Sequence, residues 1–363
     1  MPKKTAYDHL LLFITLALTG IGALMVYSSS AIIAFEGNND SLYFFKKQLS
    51  FICLGFILMI IIMHFNYNHF RKLTIPLLML SLLMLIAVLI PGFGVEKNGA
   101  RRWLSIMGIS FQPSEFAKFS LILYTAYSIS KRKEKLYDFF NGAFPLLLIL
   151  GTFCGLLILQ PDFGTVITLA SAVFLLLFAG GARLSHLVYL ALASLPFLYI
   201  SISKVSYRKR RILAFLDPWS DQLDSGYQII QSFLAFGRGG IWGVGIGEGK
   251  EKLFYLPWPH TDFILSIIAE ELGLIGVSTV VILFFLLVWR GIRISVNSAD
   301  LFGTLLSLGI TLLIGLQSII NIGVAMGLFP TKGLPLPFIS YGGSSVILSL
   351  SSIGVLLNIS EHA

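Results

Sequence analysis

Pro257-Trp258-Pro259-His260-Thr261-Asp262 runs without a break into Phe263-Ile264-Leu265-Ser266-Ile267-Ile268-Ala269-Glu270-Glu271-Leu272-Gly273-Leu274-Ile275-Gly276-Val277-Ser278-Thr279-Val280-Val281-Ile282-Leu283-Phe284-Phe285-Leu286-Leu287-Val288-Trp289. A helix needs roughly 20 apolar residues to cross the hydrocarbon core of a bilayer, and this stretch exceeds that. It also carries Glu270 and Glu271. A charge in hydrocarbon costs about 2.5–3.5 kcal/mol even on the lenient insertion scale, so carboxylates at a membrane boundary mark a candidate functional site. The polar residues leading into the span close a long hydrophilic stretch that starts near Tyr207.

Outward from this span the pattern repeats. The chain has 363 residues, 56% hydrophobic and only 12% charged, with a mean hydropathy of +0.85; soluble domains carry about 25% charged residues. The expected fold class is therefore all-α: a single polytopic membrane domain over residues 1–363. Ten spans are expected, at about 9–33, 46–64, 73–91, 113–130, 143–160, 163–181, 185–203, 263–289, 302–326 and 341–359. The first follows Pro2-Lys3-Lys4 and lacks a small-residue cleavage site, so it reads as a retained helix.

Lys and Arg in short loops set the orientation. With the N-terminus cytoplasmic, the inside collects Lys3, Lys4, Arg71, Lys72, Lys131, Arg132, Lys133, Lys135, Arg183, Arg290 and Arg293, against fewer in the short outer loops. An even span count then puts both termini in the cytoplasm and the long loop, about 205–262, outside. That loop is basic, which its length permits. The formal charge of +8 has an ordinary explanation in positive-inside loops and anionic headgroups, which does not cover the outer side. Arg101-Arg102 and Arg208 to Arg211 on the outer side suit a polyanionic ligand such as a pyrophosphate. No nucleic-acid partner is implied.

Other patterns carry less. Cys53 and Cys154 lie inside expected spans, where a cysteine behaves as a small hydrophobe. The six histidines show no ligand spacing. No resident metal is read from the chain, although transient binding of a divalent cation, magnesium or manganese, by carboxylates and phosphate oxygens stays open. The alternating Gly243, Gly245, Gly247 and Gly249 lack the strand and helix of a nucleotide fingerprint and read as a flexible turn. Gly151 and Gly155 form a GxxxG pattern expected to pack within the chain rather than between chains. Tyr341-Gly342-Gly343-Ser344-Ser345 is no nucleophile elbow. A transporter built from inverted halves is weakened by the lack of an internal repeat.

Four outer segments hold the remaining polar residues. The first is Lys46-Lys47-Gln48. The second is Asn98-Gly99-Ala100-Arg101-Arg102-Trp103-Leu104, followed by Phe111-Gln112-Pro113-Ser114-Glu115-Phe116-Ala117-Lys118. There Pro113 suits a first helical turn, and Glu115 and Lys118 share a helix face as an ordinary ion pair or as part of a site. The third is Gln160-Pro161-Asp162-Phe163-Gly164-Thr165, a tight reversal in which Asp162 is expected to cap the next helix. The fourth is the long loop, from Tyr207-Arg208-Lys209-Arg210-Arg211 to His260-Thr261-Asp262.

In order and spacing, these segments together with Phe215-Leu216-Asp217-Pro218-Trp219, Ala235-Phe236-Gly237-Arg238-Gly239-Gly240 and residues 327–345 (Gly-Leu-Phe-Pro-Thr-Lys-Gly-Leu-Pro-Leu-Pro-Phe-Ile-Ser-Tyr-Gly-Gly-Ser-Ser) resemble the SEDS family of shape, elongation, division and sporulation proteins. The likeness covers nearly the whole chain. Met25-Val26-Tyr27-Ser28 and Pro330 to Pro337 resemble its division members more than its elongation members. The resemblance implies a peptidoglycan glycosyltransferase that polymerises lipid II into a nascent glycan strand at the outer face of the bacterial cytoplasmic membrane. It also implies work at the division septum beside a class B penicillin-binding protein transpeptidase and other division-complex membrane proteins. The family's essential loop carboxylate falls on Asp262, and its polar cavity residues on Arg101, Trp103, Glu115 and Lys118. Lys47, Arg102, Arg208, Arg211, His260, Thr261 and Ser340 complete the expected substrate-binding set. Two departures are visible: Trp258, where a Glu or another polar residue is usual, and Phe163, where Leu is usual.

Glycosyl transfer from a lipid pyrophosphate needs a base for the incoming hydroxyl and positive charge for the leaving group. Asp262 suits the first role, and Arg101, Arg102, Lys118, Arg208 and Arg211 the second. A lipid II flippase and a non-catalytic scaffold of the division complex are the competing readings. Neither needs a base at Asp262.

Overall fold

The computed structural model describes residues 7–362 apart from 98–99, 107–108, 204 and 254; Lys3, Lys4, Asn98 and Gly99 thus lie outside the described residues. Its helices are α1 His9–Asn38, α2 Tyr43–Met63, α3 Asn68–Leu89, α4 Pro113–Lys131, α5 Phe144–Leu159, α6 Phe163–Ala179, α7 Leu184–Ser203, α8 Ser206–Leu216, α9 Tyr227–Gly239, α10 Ile264–Asn297, α11 Leu301–Ala325 and α12 Gly343–Glu361. Each of the ten expected spans overlaps one of them. Among the described residues, seven helices are long and apolar enough to cross a membrane: α1, α2, α3, α5 with the π-turn before it, α10, α11 and α12. α6 and the first part of α7 are shorter apolar helices, and α4 carries Glu115, Lys118 and Lys131.

Two parts of the chain depart from the all-helix expectation. Between α3 and α4, strands β1 Gly94–Lys97, β2 Ala100–Ile106 and β3 Ile109–Phe111 form an antiparallel sheet in that order. Val95 pairs with Trp103, and Glu96 pairs with Arg101 at 3.2 Å; an aromatic opposite a β-branched residue and opposite charges face to face are the pairs that stabilise such ladders. The long loop also holds α8 and α9. α9 buries Ile229, Ile230, Ser232, Ala235 and Gly239 on one face, an amphipathic pattern that the loop's overall polarity hides.

α10 is broken at Gly273, whose φ is +64°. Leu274 N–H donates to the Gly240 carbonyl and Ile275 N–H to that of Ile241, while the Glu270 and Glu271 carbonyls accept from Val244 and Gly245. Two helical bonds are lost at the break, and the glycine loop gives both of their donors and both of their acceptors a new partner, four bonds in all, as a backbone shielded from water requires. A Cβ on Gly273 would lie 2.3 Å from the Gly243 nitrogen. The alternating glycines are therefore a turn pinned to α10, not a flexible one. Glu270 and Glu271 belong to the same clasp: Glu270 accepts from the Lys250 and Glu251 amides, and Glu271 accepts from Ser28 at 2.7 Å and Lys252 Nζ at 2.6 Å. Arg238 pairs with Glu251.

Polar contacts gather at two ends of the bundle. At one end Asp8 caps α1 and binds Arg290 at 2.6 Å, and its amide donates to Ser360. Asp300 pairs with Arg71, and Asn358 ties Tyr67 and Met63 to α12. α11 and α12 are mostly buried and form the middle of the bundle. One smaller expectation fails: among the described residues, no atom lies within 4 Å of where a Cβ would sit on Gly151 or Gly155, so this GxxxG face has no close packing partner there. Cys53 lies inside the apolar α2, on its outer surface.

Candidate active site

All four polar segments converge at the other end of the bundle, around Asp262. This residue lies in the turn just before α10, and its main-chain carbonyl accepts from Asn321 Nδ2 at 3.0 Å. Asn321 also donates to the Leu334 carbonyl at 2.7 Å, and Gln317, one turn earlier on α11, donates to the Pro335 carbonyl at 2.8 Å. These two amides hold the segment between α11 and α12 against the base of the turn. A Cβ on Gly333 would stand 3.3 Å from the Asp262 carboxylate, so that segment approaches the carboxyl closely.

Burial pushes the Asp262 carboxyl up from 3.8 to about 6, against the downward pull of Arg211 and Arg102; Asp162 adds to the rise. The group is thus about nine-tenths ionised at pH 7 yet binds a proton more readily than an exposed aspartate. Arg102 comes from β2 and donates to the Gln160 and Pro161 carbonyls, which ties the sheet to the α5–α6 turn. Arg211 comes from α8 and donates to the Thr331 carbonyl at 3.2 Å. Asp162 caps α6 through the Thr165 amide, as expected from the sequence, and is 3% exposed.

The remaining expected residues divide into three groups. Glu115 and Lys118 form a buried ion pair at 2.7 Å, and Lys118 also donates to Gln317 Oε1 at 2.7 Å; the pair is linked through Gln317 to the segment beside Asp262. His260, Thr261 and Ser340 serve as framework. Ser340 donates to the Thr261 carbonyl at 2.6 Å, the Tyr341 amide to the His260 carbonyl at 2.8 Å, and Gln48 joins through the Ser340 carbonyl. The His260 ring stacks on Phe44 and meets Tyr341 edge-on. Burial lowers it to about 4, so it is neutral at pH 7 and serves packing rather than proton transfer.

Arg101 and Lys47 lie at the rim. Arg101 is exposed and paired with Glu96, and Lys47 is exposed with its amine 2.5 Å from the Tyr43 hydroxyl. Trp103 is half-buried in β2. Arg208 places its guanidinium over the Phe163 ring. No three His, Cys, Asp or Glu side chains cluster as metal ligands among the described residues.

Known proteins share this architecture. The FtsW/RodA/SpoVE family of cell cycle proteins matches residues 8–363. The chain belongs to this family. A probable peptidoglycan glycosyltransferase FtsW of Geobacter sp. (strain M18) is 46% identical over 100% of this chain and 99% of its own length. Stage V sporulation protein E of Bacillus subtilis (strain 168) is 43% identical over 99% of each. Among solved structures, a chain of a peptidoglycan synthase complex described as coordinating polymerization and crosslinking matches with a TM-score of 0.81 at 32% identity, covering 98% of both chains. The rod shape determining protein RodA of Thermus thermophilus matches at 0.70 and 27% identity over 98% of this chain and 97% of its own.

In this FtsW/RodA/SpoVE chain, sequence reasoning missed Gln317, Asn321, Gln48 and Lys332 as residues around the carboxylate. A signal existed for two of them. Gln317 and Asn321 are four apart in an apolar span, hence on one face, and an amide pair there is costly unless it meets partners.

Proposed function

We propose that this chain is a peptidoglycan glycosyltransferase of cell division in which Asp262 is the general base for polymerising lipid II. The observation that carries the reading is the Asp262 carboxylate where the outer polar segments gather, raised to about 6 by burial and with the charges of Arg211, Arg102 and Asp162 acting on it. The acceptor hydroxyl loses its proton to Asp262 as its oxygen bonds to the anomeric carbon. The bond from that carbon to the pyrophosphate oxygen breaks with inversion. Arg102, Arg208 and Arg211 face the charge that develops on the leaving undecaprenyl pyrophosphate. Lys118 and Glu115 support the segment beside the base, and Arg101, Trp103 and Lys47 line the approach. Magnesium or manganese held transiently between carboxylates and the donor's phosphate oxygens is compatible with this step.

In this reading the site faces outward from the bacterial cytoplasmic membrane with both termini inside, and the enzyme works at the septum. A class B penicillin-binding protein cross-links its product; the likeness to a synthase complex that coordinates polymerization and crosslinking supports such a partner. Asp262→Asn is nearly isosteric and removes the base. General-base catalysis is worth about 10²–10⁴-fold, so purified variant with lipid II and the transpeptidase should give no polymer on a gel while the partner complex still forms. Near-normal polymer from the Asn variant would remove Asp262 from the mechanism and favour a flippase or a scaffold.

A further inference from the structure

Phe163 opens α6 directly after the Asp162 cap, and two cations from distant parts of the chain meet its ring. The Arg208 guanidinium carbon, from α8, lies 5.1 Å from the ring centroid; the Lys332 amine, from the α11–α12 segment, lies 5.9 Å from it. The surroundings are built rather than accidental. Arg211, one turn after Arg208, donates to the Thr331 carbonyl. Gly164 packs on the Leu334 side chain, where a Cβ would come within 2.9 Å of it, and Gly333 borders the Asp262 carboxylate. α6, α8 and residues 331–334 therefore close on one another beside the base.

Two like charges near one ring repel, and the electron-rich ring faces offset part of that cost. A ligand with two adjacent negative groups would convert the repulsion into attraction. Burial brings the Lys332 amine down to about 8, so this cation gains when an anion joins it. Resting on the glycosyltransferase reading above, we propose that Phe163 is a positioning residue that gathers Arg208 and Lys332 into a receptor for the diphosphate of the lipid donor. Leucine at this position would preserve apolar packing and lose the ring's charge distribution. The aromatic departure noted in the sequence then has a function of its own.

The test uses the full-length protein in nanodiscs and measures binding of undecaprenyl diphosphate, with undecaprenyl monophosphate as the control ligand. One to two cation–π contacts correspond to about 5- to 30-fold in affinity. Phe163→Leu should weaken diphosphate binding by that order and monophosphate binding less. It should raise KM for lipid II with little change in kcat, and Phe163→Trp should restore wild-type behaviour. In an Arg208→Gln/Lys332→Gln background, Phe163→Leu should add no further loss. Unchanged affinity in Phe163→Leu, or an equal loss in that double background, overturns the proposal, since the ring would then act by packing alone. Binding is read without turnover: wild-type protein that binds the diphosphate but makes no polymer would sink the glycosyltransferase reading and leave the receptor intact.

Discussion

Asp262 shows how one side chain's surroundings set both its chemistry and its cost. Its carboxyl titrates near 6 when folded against 3.8 ordinarily, so keeping it ionised at neutral pH opposes folding. The stability it contributes is fully present below about pH 4 and is lost as pH rises through 6. Asp262→Asn should therefore melt no lower than wild type at pH 7 while losing activity, and wild-type kcat/KM should fall below about pH 6 as the base protonates. A variant that loses activity together with several degrees of melting temperature would make Asp262 a structural residue. Lys118 is the opposite case. It is 2% exposed and neutralises Glu115, itself 5% exposed, so Lys118→Met strands a buried carboxylate at a cost of about 3–5 kcal/mol. Polymerisation should drop by about tenfold or more. Lys118→Met/Glu115→Gln should recover the melting temperature. If activity returns with it, Lys118 supports the site; if activity stays low, its charge acts on the substrate. At this scale Lys118 and Glu115 were legible because charge in an apolar span demands a cause, and Asp262 was legible through the family resemblance, whereas Lys332 stood out only once the chain brought it to Phe163.

Elements show a sharper contrast. The spanning helices were legible because the bilayer allows few solutions and each leaves a long apolar run. The sheet was not: its strands of 4, 7 and 3 residues are too short for an alternating pattern to stand out, and cross-strand pairing, which sequence order does not display, decides them. The break in α10 was equally hidden, since Glu270-Glu271-Leu272-Gly273 reads as unbroken helix until the glycine loop supplies the missing partners. Gly273→Ala tests that exchange. It forces an L-residue into φ +64°, ψ −161°, a region open essentially to glycine alone and costing about 1–3 kcal/mol by itself, and drives a methyl into the Gly243 backbone. The variant should melt several degrees lower, with faster hydrogen exchange at the Leu274 and Ile275 amides. Unchanged protection there would mean that the loop is not what holds the break.

Across the whole molecule, the division of charge between the two ends is what ties fold to function. Arg71, Arg290 and Arg183 all sit in contacts at helix ends away from Asp262: beside Asp300, beside Asp8 and over the Tyr137 ring. The long loop, the sheet and residues 327–342 cover the opposite end. A base that accepts from a lipid-linked sugar presented at the outer face of the membrane works only if the second end faces outward, which the lysine and arginine bias of the short loops also favours. With Cys53 and Cys154 replaced by Ala, a cysteine at Leu223, 94% exposed in the long loop, should react with a membrane-impermeant maleimide on intact cells lacking an outer membrane barrier. One at Glu134, in the exposed turn after α4, should react only after permeabilisation. Because both sites are exposed on the protein, the membrane alone accounts for any difference in labelling. The reverse pattern, or labelling of both from outside, would put Asp262 on the cytoplasmic side, where a flipped lipid substrate is absent, and would sink the proposed chemistry along with the orientation.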